Sequence, residues 1–289
     1  MESARYKAFL AAVETGSFSR AAEQLNYTPS GVSQLVTALE NELNVTLLHR
    51  TKKGVSLTND GKHFVPVVRS LIGEENRLYE LASQVNGLLI GSISIATYSS
   101  VAVYWLPKII RRFRETYPQI QFKFHEGTWQ ELSRQLDDRR ADLAFFSHRD
   151  PMPYDWIPLA EIPLLAILPR SHPLAGAGVF PIQQYRRETL IIPDLKQVSD
   201  IYDFLNRHQL TPDESVLTAD DLSAMALIEQ GMGVGILNAL IASSETFDVA
   251  RLPLDPPESI TMGMAALSFR HASPAVQKFV ECVKEMGDL

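Results

Sequence analysis

The chain has one cysteine in 289 residues, Cys282. A lone thiol excludes an intrachain disulfide and a thiolate metal cluster. Its neighbours Val276, Phe279, Val280 and Val283 share a helical pattern, which makes it a packed structural thiol. No apolar run is long enough to span a bilayer. The opening stretch MESARYKAFLAAVETG mixes acidic residues with a short apolar run. It reads as neither a secretory signal nor a mitochondrial presequence, and the cytoplasm is the expected compartment. His148, His172, His208 and His271 have neither i, i+4 spacing nor a carboxylate pattern suited to zinc, so no metal is expected. Nothing resembles a nucleophile elbow or a P-loop, and no catalytic residue or cofactor is assigned. The GMGVG segment at 231–235 follows a helical pattern and precedes a strand. That order is the reverse of the strand-to-helix turn that seats a pyrophosphate.

Positive charge is also scarce, and the net charge of -7 excludes a general polyanion packager. What there is of it is unevenly placed: residues 1–58 sum to +1 and the remaining 231 to -8. Any nucleic-acid face is therefore local and N-terminal. There the stretch Gly16–Leu47 reads as two short helices around a tight turn. Ser17 caps the first, whose apolar positions are Phe18, Ala21, Ala22 and Leu25; Asn26 and Tyr27 break it. Thr28 caps the second, Pro29 sits where the first-turn amides lack partners, and Val32, Leu35, Val36 and Leu39 form its apolar stripe. Ser30, Ser33, Gln34 and Thr37 share the polar face, the layout of a helix-turn-helix that sets a recognition helix in the DNA major groove. A solvated helix face is the plain alternative, and the motif reverses the odds. A Gln can bond adenine edges and a Ser either base or phosphate, while Arg20 and Thr28 suit phosphate.

Tyr6, Phe9, Leu10 and Val13 form an opening helix that closes the same small core. After Leu43, two short strand-like runs joined at Lys52-Lys53-Gly54 make a wing, with Arg50, Lys52 and Lys53 as the densest basic cluster. From Asn59 to about Leu88 the pattern is one long helix, with Pro66 expected to kink or disturb its start. Phe64, Leu71, Leu78 and Val85 recur every seven residues with Leu81 between. A lone stripe of that length is best buried against the same helix of a second subunit. From Ser92 onward, strands alternate with amphipathic helices: SISIAT, a helix over 100–116, IQFKFHE, a helix over 129–139 and ADLAFFS. IPLLAILP then crosses to a second such unit (TLIIP, helix 199–208, SVLTA, helix 221–230, GVGILN). ESITMGMAALSF crosses back before a last helix opening at Ser273-Pro274. The expected domains are 1–58, 59–88 and 89–289. The last divides into lobe I, about 92–162 plus 267–289, and lobe II, about 163–266.

This order of parts resembles the LysR-type transcriptional regulators of bacteria. The resemblance rests on the spacing of Ser17, Arg20, Ala21-Ala22, Leu25, Val32-Ser33, Leu39-Glu40, Leu43, Arg50 and Leu57-Thr58, and downstream on LPKIIRRFRETYPQIQFKFHEG, ADLAFF, RSHPLA and GMGVGIL. Pro29 and Gly31 depart from the usual polar residue and Ala of the family, and Asn238 from its usual Pro. The resemblance implies a winged helix-turn-helix and a long linker helix. It also implies an α/β effector module of two lobes, like a type 2 periplasmic binding protein. Its partners would be double-stranded DNA at an inverted-repeat operator and a small-molecule effector, an organic acid or aromatic metabolite, with the subunits in a homodimer or homotetramer. A two-lobed solute-binding protein or enzyme, with the N-terminal helices incidental, is the alternative. In α/β folds ligands bind at the carboxyl ends of strands. The effector candidates there are Tyr98, Ser99, Ser100, Thr128, Phe145, Ser147 and Asp194, and the hydroxyls and amides of Ser99 and Ser100 offer an anion seat.

Overall fold

The structure is a computed structural model that describes residues 2–51, 54–85, 89–193, 200–212, 214–218 and 220–287. It falls into two compact units, one of Met1–Gly91 with Asp137–Arg140 and Ser273–Ala275, the other of the remainder.

In the first unit α1 (Glu2–Thr15), α2 (Phe18–Leu25) and α3 (Pro29–Leu43) precede a hairpin of β1 (Leu48–Thr51) and β2 (Gly54–Leu57), and α4 (Asn59–Val85) follows. Local chemistry sets the boundaries. The Ser17 hydroxyl accepts from the Arg20 amide and that of Thr28 from the Gly31 amide, so each helix has a polar N-cap. Asn26 (φ 56°) and Asn44 (φ 53°) end α2 and α3 in the left-handed region, which Asn tolerates better than most residues. Phe9, Ala12, Ala21, Val32, Val36 and Leu39 close a dry core that also takes in Leu47 and Leu48. The wing is tied to the α1–α2 turn by the Val55 amide, which donates to the Gly16 carbonyl at 2.9 Å. The helix α4 runs unbroken through Pro66. Its apolar stripe divides: Val65 and Val68 are buried in the N-terminal core with Phe64 and Ile72 packed against it, whereas Leu71, Leu78, Leu81 and Val85 are exposed. Phe64, expected among the dimerisation residues, is thus a core-packing side chain of its own unit. It lies in the second turn of α4, still over the three-helix core.

The second unit begins with β3 (Gly91–Thr97), α5 (Ser99–Tyr104), α6 (Leu106–Thr116), β4 (Ile120–Glu126), α7 (Trp129–Asp137), β5 (Leu143–Ser147) and β6 (Asp155–Pro169). It continues through β7 (Phe180–Pro181), a 3₁₀ turn at Ile182–Arg187, β8 (Thr189–Pro193), α8 (Asp200–Arg207), β9 (Glu214–Thr218), α9 (Asp221–Glu229) and β10 (Val234–Asn238). Then come α10 (Ala239–Ala242), β11 (Val249–Asp255), β12 (Ser259–Ala266) and α11 (Pro274–Met286). The strand order is β4-β3-β5-β12-β6-β10-β8-β9, with β11 on β6 and β7 on β11. The pairs β3/β5, β10/β8 and β8/β9 are parallel, while β12 and β6 run antiparallel to their neighbours. Strand β6 belongs to both halves: Asp155–Pro163 pairs with β12, and Leu164–Pro169 with β10 and β11.

Three expectations change. The helix over 100–116 is two helices that meet at the buried Trp105, because Pro107 in the first turn of α6 has no amide to carry the ladder across. The crossing strand starts seven residues before IPLLAILP, at Asp155. Strand β12, placed at the end of lobe II, pairs wholly with β5 and the first part of β6, so it lies in the sheet of the first lobe. The alternation along β11, interrupted by Pro253, did not reveal a strand in the sequence.

Candidate DNA-reading face and effector cleft

The start of α3 is solvent-facing: Thr28, Pro29, Ser30 and Gln34 are all exposed. The hydroxyl of Thr28 is occupied as the cap and lies 3.2 Å from that of Ser30. Among the described residues the Gln34 side chain has no hydrogen-bond partner, and its exposed amide can meet a base edge. Ser33 and Thr37 are instead engaged by Arg50, whose guanidinium donates to the two hydroxyls at 3.2 and 2.8 Å and to a Glu40 carboxylate oxygen at 2.7 Å. The same group lies over the Phe18 ring at 5.4 Å. Arg50 is therefore a brace between wing and recognition helix rather than a free wing cation, because an anion and two hydroxyls on α3 satisfy its donor fork. Its other carboxylate partner-atom matters too. Glu40 Oε1 accepts from the Leu47 and Leu48 amides at 2.8 and 3.0 Å, so one side chain orders the turn, the wing and the helix. Arg20 is exposed on α2. Lys52 and Lys53 lie outside the described residues.

In the second unit, the carboxyl ends of the strands and the N-termini of the helices surround a cleft of about 770 Å³. Tyr98, Ser99, Ser100 and Thr128 line it. The six-residue α5 takes Tyr98 as its N-cap position without a side-chain cap bond, and Ser100 is buried while Ser99 is exposed. Thr128 and Glu131 form a reciprocal cap at the start of α7, the Glu131 amide donating to the Thr128 hydroxyl at 3.3 Å and the Thr128 amide to the Glu131 carboxylate at 3.1 Å. Ser147 stands just behind the wall. Its hydroxyl donates to Asp200 at 2.7 Å and lies 3.0 Å from the Tyr98 hydroxyl, so a chain of bonds links the first lobe to α8 of the second. Arg149 joins the same two lobes by pairing with Asp200 at 3.4 Å and Asp203 at 3.2 Å. Burial holds the Tyr98 phenol protonated far above its ordinary range. Phe145, expected at the cleft, is fully buried within the sheet and does not line it; both faces of β5 are covered, which leaves its ring in the core. Asp194 lies outside the described residues.

Sequence reasoning missed Tyr104, Asp200, Asp220 and Asp221 as cleft residues. Asp220 caps α9 by accepting from the Ser223 amide at 2.7 Å. Burial raises the Asp200 carboxyl above the usual carboxylate range. Asp221 is pushed up to about 6, first by burial and then by the charges of Asp220 and Asp200. With Glu126 and Glu131 the wall holds five carboxylates, and among its described residues there is no Lys, Arg or His. An organic acid therefore finds no cation to pair with on this described wall, where the hydroxyls and amides of Ser99 and Ser100 are what is left to receive it. Aromatic contacts remain, from Tyr98, Tyr104 and Trp129. Among the described residues no group of His, Cys, Asp or Glu is placed to hold a metal ion, and no helix is long and apolar enough to cross a membrane.

A capped helix-turn-helix with a braced wing and a two-lobed α/β module around a cleft define the class, a DNA-binding regulator with a small-molecule site. Residues 86–288 match the LysR substrate binding domain, and residues 4–62 match the bacterial regulatory helix-turn-helix protein, lysR family. The chain belongs to the LysR family of transcriptional regulators. It is 29% identical over 284 residues to the uncharacterized HTH-type transcriptional regulator YvbU of Bacillus subtilis, covering 97% of each chain. It is 27% identical over 278 residues to CfxR of Cupriavidus necator, covering 92% of this chain and 86% of that one. Among solved structures it is similar to a full-length OxyR variant from Pseudomonas aeruginosa (TM-score 0.76, 20% identity, 98% and 93% of the two chains). It is also similar to full-length CbnR in complex with its target DNA (TM-score 0.67, 21% identity, 99% of each chain). The protein is a sequence-specific DNA-binding regulator whose activity is modulated by a small molecule held in its effector-binding domain.

Proposed function

We propose that two copies of this chain pair through the exposed face of α4 and present two α3 helices to an inverted repeat. The observation that carries this reading is the apolar row Leu71, Leu78, Leu81 and Val85, of which Val85 is 87% and Leu78 65% exposed. Burying such side chains is worth about 1.5–3 kcal/mol each, more than a solvated helix can recover alone. Gln34 and Ser30 then read bases, while Arg20 and the basic wing residues Lys52 and Lys53 hold phosphates. Further association of the effector modules gives a homotetramer. The effector, whose aromatic or apolar body rests on Tyr98, Tyr104 and Trp129, works by setting how closely the lobes approach. It competes for the Tyr98–Ser147–Asp200 chain and the Arg149 pairs that now link them. The site serves binding rather than catalysis, and the protein acts in the cytoplasm, where its DNA is.

The test is sedimentation velocity together with DNA footprinting on the gene's own upstream region. The native protein is expected to protect two symmetric half-sites about one helical turn or a multiple apart. The double substitution Leu78→Glu, Leu81→Glu is expected to yield monomers that protect neither half-site at the same concentration. Monomers that still protect both half-sites would overturn the pairing.

A further inference from the structure

The cleft walls differ in what their carboxylates already hold. Glu131 is committed to the Thr128 cap, Asp220 to the Ser223 amide, and Asp200 to Ser147 and Arg149. Among the described residues, the Asp221 side chain has no hydrogen-bond or ion-pair partner, though burial is the largest influence on its carboxyl. It lines the cleft beside Asp220 and within the field of Asp200, and Glu126 stands on the opposite lobe. The first-turn amides of α9 compensate part of that charge, yet the carboxyl of Asp221 remains raised to about 6. A half-buried acid with no partner among the described residues, facing a cavity of about 770 Å³, favours a positive group there. The rest of the wall sets the shape of its carrier. Tyr98, Tyr104 and Trp129 offer aromatic surface, and Leu164, Leu237 and Ile260 an apolar floor. Aromatic rings also favour cations over anions at contact distance.

We infer that the effector of this cleft is an organic cation, an amine on an apolar or aromatic body, whose charged head is held by Asp221 and Asp220. The inference rests on the effector cleft proposed above and adds its ligand class. An ammonium group between the two carboxylates relieves their mutual repulsion and gives Asp221 the partner it does not have among the described residues. A carboxylate head in the same place would add to that repulsion.

The experiment titrates the full-length protein with three probes that share one skeleton and differ in head charge: phenethylamine, phenethyl alcohol and phenylacetate. Binding is read by tryptophan fluorescence and thermal shift, and by the change in affinity for the upstream DNA. Phenethylamine is expected to bind at least about tenfold tighter than the alcohol, and phenylacetate more weakly than either. In Asp220→Asn, Asp221→Asn, which keeps the cap because Asn also serves as an N-cap, the amine is expected to fall to the level of the alcohol, with alcohol affinity unchanged. Phenylacetate binding as tightly as the amine, or an amine preference that survives the double substitution, overturns the cationic class and leaves the cleft as the effector site. Binding of none of the probes, or binding that Ser100→Phe in the cleft wall leaves unaltered, overturns the cleft reading and the ligand class with it.

Discussion

Replacing Asp221 by Asn should make the protein more stable at neutral pH and leave it unchanged in acid. The Asp221 carboxyl is raised from 3.8 to about 6 in the fold. At 1.36 kcal/mol per unit this places a ceiling of about 3 kcal/mol on the cost of ionising it in place. Because the residue keeps some contact with water, about 1–2 kcal/mol remains after screening. An opposing effect comes from its place in the first turn of α9, where a negative charge favours the helix by about 0.3–1 kcal/mol. Desolvation is the larger, and the net gain from Asn is about 1 kcal/mol. The sign follows from linkage. A carboxyl with a raised folded pKa binds its proton more tightly in the native state, so its contribution is full below about pH 4 and is lost as pH rises through about 6. The assay is urea unfolding followed by tryptophan fluorescence, which reports on the effector unit because Trp105, Trp129 and Trp156 all lie in it. The stability curves of native protein and variant should coincide near about pH 4 and separate by about 1 kcal/mol above about pH 7. A gain of equal size at both pH values, or a variant less stable at neutral pH, would refute the reasoning.

Glu40→Ala removes the acceptor of two backbone amides and the anchor of Arg50, and at about 1–3 kcal/mol per orphaned group it should cost the DNA-binding unit about 3 kcal/mol, measured by urea unfolding with far-UV circular dichroism. Gln34→Ala should narrow the affinity gap between operator and scrambled DNA by about 1–3 kcal/mol, while Arg20→Ala weakens both DNAs alike and flattens the salt slope, as read by fluorescence anisotropy. Gly61→Ala should lower stability by more than about 1 kcal/mol in thermal unfolding, because the added Cβ would fall on the Leu47 carbonyl oxygen, which is backbone held in place by the Thr58 amide at 3.0 Å.

The helix-turn-helix is legible in the chain because each device that builds it is local. Ser17, Asn26 and Thr28 act within three or four residues of themselves, and the stripe of Val32, Val36 and Leu39 needs only helical periodicity. The cleft is legible as a place, since strand ends and helix starts can be counted, but not as a charge. Asp200 and Asp220 are separated by a helix and a strand, and parallel pairing of β8 with β9 brings their helix starts to one rim. Read one at a time, Asp200, Asp220 and Asp221 are ordinary first-turn acids. Arg50 shows the same limit: its basic neighbours suggest a cation reaching for phosphate, whereas Glu40, ten residues earlier, claims it. Phe64 and Leu78 sit in one heptad row, and only the position of the three-helix core separates the side chain it covers from the one it leaves bare.

The place of β12 between β5 and β6 has a consequence for how the chain is made. The first lobe draws on residues 91–163 and again on 259–286, where Phe279 of α11 meets Phe113 at 5.3 Å. Its sheet therefore stays open in the middle until Ser259–Ala266 has left the ribosome. The elements of the second lobe, from Leu164 to Asp255, are contiguous and emerge earlier, so the half synthesised later is the one that can pack first. Nascent chains stopped before Ser259 should expose the edges of β5 and β6, a surface that invites pairing with the wrong strand.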